Sequence, residues 1–207
     1  MERCGRRYAT FLGVLVLALM VAGTVALAQE TPEPKLKMSD KPMTADQLSV
    51  YRVILHGWMD DGKHSIHLSM ATTPLDRAEM GVADCEKRLD LEELDATLIH
   101  RFRTEDLPQL GSNKIELVDP EKQAQEVADN DPEKHIGKES SIGAAVRNGF
   151  NHGLVTLSEI RFDKSHTHAI VWYGFTCGRL CGNGGDVLLE KKHGVWGIKD
   201  HCSNWIS

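Results

Sequence analysis

Apolar residues recurring at steps of three and four mark "TADQLSVYRVILHGWM", 44–59, as a helix. Leu48, Tyr51, Leu55 and Trp58 fall on one face and Ile54 widens it. Thr44 with Gln47 three residues on makes a capping-box start, and Asp60-Asp61-Gly62-Lys63 ends the pattern. The period then changes. In "HSIHLSM", 64–70, Ile66, Leu68 and Met70 alternate with Ser65, His67 and Ser69, which predicts a strand with one wet face. A weak helix is expected over 75–88 and a stronger one over "DLEELDATLIHRF", 90–102, where Leu91, Leu94, Leu98 and Phe102 make the stripe and Asp90 with Glu93 the cap. "KIELV", 114–118, reads as a short strand. The acidic stretch 119–140, with Pro120 and Pro132, reads as a mobile excursion, and "SSIGAAVRNGF", 140–150, as one more short helix.

From residue 153 the texture is β. "GLVTLSEIRF", "HTHAIVWYGFT", "DVLLEKK" and "VWGIK" with "NWIS" are strand-like runs separated by short turn signals. Short connections allow only antiparallel pairing, since parallel strands need long crossovers. The expected fold is α+β, with N-terminal helices packed on an antiparallel C-terminal β-meander and helix 44–59 lying on one sheet face. Within "HTHAIVWYGF", Thr167, Ala169, Val171, Tyr173 and Phe175 form an apolar core face. His166, His168, Ile170 and Trp172 share the opposite, mixed face, and of these His166, His168 and Trp172 are the candidate ligand surface.

The chain starts with basic "MERCGRRY", runs through an apolar stretch and reaches Ala26-Leu27-Ala28 before polar "QETPEPKLK". That is the pattern of a secretory signal peptide cleaved after Ala28. The organisation read from sequence is a signal peptide at 1–28, a flexible linker at 29–43 and a single α+β domain at 44–207. Gln29 at the first mature position leaves no cysteine for lipidation, so no stable membrane anchor is expected after cleavage. The full chain carries a net charge of −6. Losing Arg3, Arg6, Arg7 and Glu2 with the signal makes the remainder more acidic still, which argues against nucleic acid as a partner. A periplasmic or secreted location follows from the same segment.

Export also governs the cysteines. Cys4 leaves with the signal, and Cys85, Cys177, Cys181 and Cys202 form an even set that is first a disulfide count in an oxidising compartment, with three pairings possible. Cys177 and Cys181 are spaced C-x3-C, without the C-x-x-C of redox sites, and a bridge there shapes the loop "CGRLCGNGG". Gly178 and Gly182, each following a cysteine, are placed to take positive φ. "GNGG" offers an anion nest by composition, but no helix follows it and no Lys comes before Lys191, so it reads as a permissive hairpin loop.

Catalytic signatures are missing: neither G-x-S-x-G nor H-E-x-x-H occurs, and Asp60-Asp61, Glu92-Glu93 and Asp129/Asp131 fall where solvated charges are ordinary. No cofactor is implied. His166 and His168, two apart on one strand face, can share a metal with His201 or Cys202.

The C-terminal quarter resembles a family of uncharacterised exported bacterial proteins. The matching positions include Ser158, Ile160 and Phe162, then Ala169, Val171 and Tyr173, then "CGRLCGNG" from Cys177 to Gly184. "LLEK" at 188–191, Gly194 and Trp196 follow, and Trp205-Ile206-Ser207 closes the signature. An aromatic residue follows the glycines in that family where this chain has Gly185-Asp186. The resemblance implies export and an α+β meander, and no activity. Cys85 and Cys202 lie outside the signature, and we infer that they pair with each other. The function expected is a non-enzymatic binding or accessory module. The alternative is a metal-dependent hydrolase with a His/Cys site near the 166–202 meander, and a third option is a sheet concave enough to hold a small molecule.

Overall fold

The computed structural model describes residues 35–59, 65–75, 85–87, 89–111, 114–137 and 141–207, all within one compact unit. The signal segment 1–28 and most of the weak helix expected over 75–88 lie outside the described residues. Helix α1 (Ala45–Met59) starts as its capping box dictates. Thr44 N donates to Gln47 Oε1 at 2.8 Å and Gln47 N donates back to Thr44 Oγ1 at 3.2 Å. Leu48, Tyr51 and Leu55 are buried, each such side chain contributing about 1.5–3 kcal/mol of transfer free energy.

They bury against one face of an eight-stranded sheet. Its main path runs β10 (Trp205–Ile206), β8 (Cys181–Lys192), β7 (His168–Gly178), β5 (Leu154–Leu157), β2 (Ile66–Ser69), β4 (Ile115–Val118). β6 (Arg161–Phe162) pairs with β7 and β9 (Val195–His201) with β8. The register aligns Leu68, Val155 and Phe175 across three strands, and Val171 opposite Val187 and Ala169 opposite Leu189. These residues share one buried core with Leu48, Tyr51 and Leu55 of α1. Strands β5 through β10 pair antiparallel as expected. β2 instead pairs parallel with both β4 and β5. The connections from Ser69 to Ile115 and from Val118 to Leu154 are long enough for the crossovers that parallel pairing needs.

Several sequence expectations are corrected. Residues 90–102 are not helical. Leu91 bridges to Asp163, Leu98–Ile99 (β3) pairs with Lys37–Met38 (β1), and Phe102 N donates to Met70 O. Asp95 Oδ1 accepts from Thr97 N at 2.9 Å and Thr97 Oγ1 at 2.7 Å, a local turn that competes with helical hydrogen bonding. The same pairing ties down part of the linker expected at 29–43, where Met43 is also buried.

The described part of 119–140 is ordered rather than an excursion. Its two Asp-Pro pairs start helices α3 (Pro120–Asp129) and α4 (Pro132–His135), Asp119 and Asp131 capping and proline taking the first turn. α2 (Leu107–Leu110) precedes them and α5 (Ile142–His152) follows, the latter as expected. The wet face of β2 is covered: Ser69 is buried, and Gln123 of α3 reaches His67 at 3.3 Å.

Candidate functional site

"HTHAIVWYGFTCGRLCGNGG" forms a long hairpin. Both cysteine pairs are bridged, Cys177 to Cys181 across its turn and Cys85 to Cys202 across a sequence separation of 117. Gly178 has φ +155°, and a Cβ there would stand 2.6 Å from Asp131 Oδ1. The same carboxylate accepts from Arg179 N at 2.8 Å, while the Arg179 guanidinium forks onto Glu133 at 2.9 and 2.7 Å. The turn is thus cross-linked by sulfur and clamped to α4.

The glycines that follow are not loop residues, and Gly182 does not take positive φ. They are strand residues of β8 crossed at close range. A Cβ at Gly182 would meet Phe175 O at 2.7 Å, and one at Gly184 would meet Trp205 Nε1 at 2.7 Å. Ser203–Asn204 backbone occupies the corresponding space at Gly185. Glycine here makes room for a neighbouring chain.

The candidate ligand surface does not assemble. His166 lies in the turn before β7 with φ 52°, which breaks the strand alternation. Its ring stacks on core residue Phe162 at 4.9 Å and Nε2 sits 3.1 Å from Glu92 Oε1. Ile170, between His168 and Trp172 on their face, is fully buried under Leu89 and Leu91, a segment held down by the Cys85–Cys202 bridge. The Trp172 ring lies over Gly174, and its buried Nε1 has no hydrogen-bond partner among the described residues.

The three histidines do not converge on a metal either. His168 stands opposite Glu190 and His201 opposite Val187, on the α1 side of the sheet. Two strand spacings and three residues of offset put their backbones about 14 Å apart. No group of three or more His, Cys, Asp or Glu among the described residues is arranged to hold a metal ion.

His168 belongs to a different cluster, organised by buried Asp163. Asp163 Oδ1 accepts from Thr167 N at 2.8 Å and His168 N at 2.9 Å, and Oδ2 accepts from Ser165 Oγ at 2.6 Å. Burial alone would raise this carboxyl's pKa, but the hydrogen bonds from Ser165, His168 and Thr167 prevail and hold it far below the usual carboxylate range. His168 Nδ1 lies 3.3 Å from Asp163 Oδ2 and Nε2 lies 3.0 Å from Lys199 Nζ.

A second buried polar knot joins α1 to the sheet. The Glu159 carboxylate accepts from Thr72 Oγ1, from His100 N at 2.7 Å and from His100 Nδ1 at 2.9 Å. Tyr51, beneath it, donates its hydroxyl to Ser158 O at 2.8 Å. Burial first, and the nearby Glu159 charge second, push the Tyr51 phenol well above its ordinary pKa. Neither Glu159 nor His100 stands out in the sequence, because they meet only through the irregular link between β5 and β6.

The concave surface lies elsewhere, along β10. On one side a cavity of about 370 Å³ is walled by Val146, Phe150, Leu180, Ile206 and the Cys177–Cys181 bridge. On the other a cavity of about 470 Å³ is walled by Ile54, Tyr173, Val187, Ile198, His201 and Trp205. Asn183 and Ile206, directly opposite each other in the β8–β10 pairing, line both. Burial raises the Tyr173 phenol above its ordinary pKa, so it stays a neutral hydroxyl there. The sequence hint was "GNGG", whose asparagine is the polar residue between the two chambers.

Compared with known proteins, the chain matches no family model, no curated protein and no solved structure. Among the described residues no helix is long and apolar enough to cross a membrane.

Proposed function

We propose that this chain is an exported, non-enzymatic binding module, periplasmic or secreted, that takes an apolar ligand in the two-chambered cleft beside Asn183. The targeting pattern at 1–28 and the two disulfides support export. One observation carries the binding reading. Of the ten exposed large apolar side chains among the described residues, five, namely Ile136, Val146, Phe150, Leu180 and Ile206, line the 370 Å³ chamber. Exposed apolar residues scattered singly need no explanation, whereas a concentration around one concavity marks a binding surface. Apolar walls with two amides (Asn183 and Asn204), one phenol and one imidazole suit an elongated apolar molecule with a polar end.

The test is binding of the naphthalene dye ANS to the native, oxidised protein, followed by displacement with apolar compounds. Phe150→Asp and Leu180→Asp should abolish the fluorescence gain, and Val195→Asp, at the exposed tip of the β8–β9 hairpin, should leave it intact. Native protein that does not bind the dye, or binding indifferent to Phe150 and Leu180, overturns the reading.

A further inference from the structure

We propose that Lys199 is a nucleophilic amine, activated by His168, that captures a neutral aldehyde as an imine. The site is separate from the cleft and does not depend on it.

The backbone provides the first observation. The β8–β9 register is regular from Lys192↔Val195 to Leu189↔Ile198, then shifts to Leu188↔Asp200, leaving Lys199 as the extra residue of a bulge. Bulges re-aim side chains and are enriched beside active sites. This one sends Lys199 across β8 to His168, which stands opposite Glu190.

The side chains provide the second. An ammonium has no acceptor site, so at 3.0 Å Lys199 Nζ donates and His168 Nε2 accepts. Nε2 is therefore unprotonated and the ring proton sits on Nδ1, facing Asp163 Oδ2 at 3.3 Å and Thr167 Oγ1 at 3.2 Å. Carboxylate, imidazole and amine stand in the order of a nucleophile–base–orienter relay. Glu190 Oε1 lies 3.2 Å from Lys199 Nζ and 3.6 Å from His168 Nε2. A proton passing from amine to imidazole thus stays beside the same carboxylate, and the transfer separates little charge. Lys192 holds the other oxygen of Glu190 at 2.6 Å.

The chemistry balances within the site. His168 Nε2 takes one proton from the Lys199 ammonium, and the freed lone pair forms a C–N bond to the carbonyl carbon. A proton moves from nitrogen to oxygen to give the carbinolamine. His168 then returns its proton to the leaving hydroxyl, the C–O bond breaks, water departs and a protonated imine remains beside Glu190. No oxidant or further reactant is consumed. The flanking Asp163 and Glu190 carboxylates repel an anionic carbonyl compound, so the captured class is a neutral aldehyde.

Lys192 is an internal control. Its side chain is 74% exposed against 43% for Lys199, so accessibility alone makes Lys192 the faster reactor. The experiment treats the folded, oxidised chain briefly with limiting butanal and sodium cyanoborohydride, then maps alkylation by peptide mass spectrometry. Lys199 should be modified about tenfold or more faster than Lys192, the ~100-fold low end of general acid–base assistance being offset in part by the greater exposure of Lys192. His168→Gln should erase that preference without changing the Lys192 rate, and the preference should vanish for wild type in urea. Lys192 reacting as fast or faster, a folded His168→Gln that keeps the preference, or a preference that survives urea each overturns the proposal. If His168→Gln does not fold, the wild-type ratio with and without urea decides.

Discussion

Trp205 and Gly184 are in van der Waals contact across the β10–β8 pair, with the indole running along the strand from Gly184 toward Gly182. A Cβ at Gly184 would press on both the indole and the Tyr173 carbonyl, and the latter is backbone in the paired strand. Gly184→Ala should therefore destabilise by about 1–3 kcal/mol, the usual range for overpacking. Urea denaturation followed by tryptophan fluorescence measures it, and a neutral result would mean that β10 yields freely.

The two disulfides should differ in weight. By loop-closure entropy, opening Cys85–Cys202, with its separation of 117, costs about 5 kcal/mol, and opening Cys177–Cys181, with its separation of 4, costs about 2 kcal/mol. Paired Cys→Ala variants compared by chemical denaturation check the order. The first should also uncover Ile170 and Leu188, seen as increased hydrogen exchange in β7 and β8.

Glu159→Leu should be among the most damaging single changes. It removes the acceptor of the His100 ring and leaves Thr72 and His100 N only their bonds to each other. Leaving a buried hydrogen-bonding group without its partner typically costs about 1–3 kcal/mol. Thermal denaturation of the variant reads the loss.

Asp163 ties stability to acid pH. Its folded pKa is depressed, since hydrogen bonds outweigh burial. Its contribution is therefore fully present above the unfolded titration near pH ~3.9 and is lost as pH falls below that toward the lower folded value. Asp46 adds a slope of the same sign: burial raises its pKa, but Lys191 and Trp196 bond to the carboxylate and lower it overall. Unfolding free energy measured from pH 6 down to the acid transition should fall less steeply for Asp163→Asn than for wild type.

Local chemistry was readable where partners are close in sequence. The Thr44–Gln47 box, the α1 stripe of Leu48, Tyr51 and Leu55, the β2 alternation and the antiparallel order of β7, β8 and β9 all follow from spacing alone. The 90–102 helix failed for the opposite reason. Leu91, Leu94, Leu98 and Phe102 have helical spacing, yet Leu91, Leu98 and Phe102 each meet a different distant segment, and propensity yields to those contacts. The acidic stretch misled through composition: an Asp-Pro pair is equally a turn and a helix start, and buried Gln123 and Val127 decide between them.

By itself, the sequence determined the α+β class, the first helix and the hairpin frame, because each depends on period and on neighbours a few residues apart. Only the tertiary structure decided that His166 leaves the strand to stack on Phe162, that His168 meets Asp163 and Lys199, and that "GNGG" is strand rather than loop. Those outcomes depend on a left-handed residue, a bulge and the approach of Trp205, which join segments up to tens of residues apart. One-dimensional spacing carries no record of such approaches, so residue types alone could not place the candidate site.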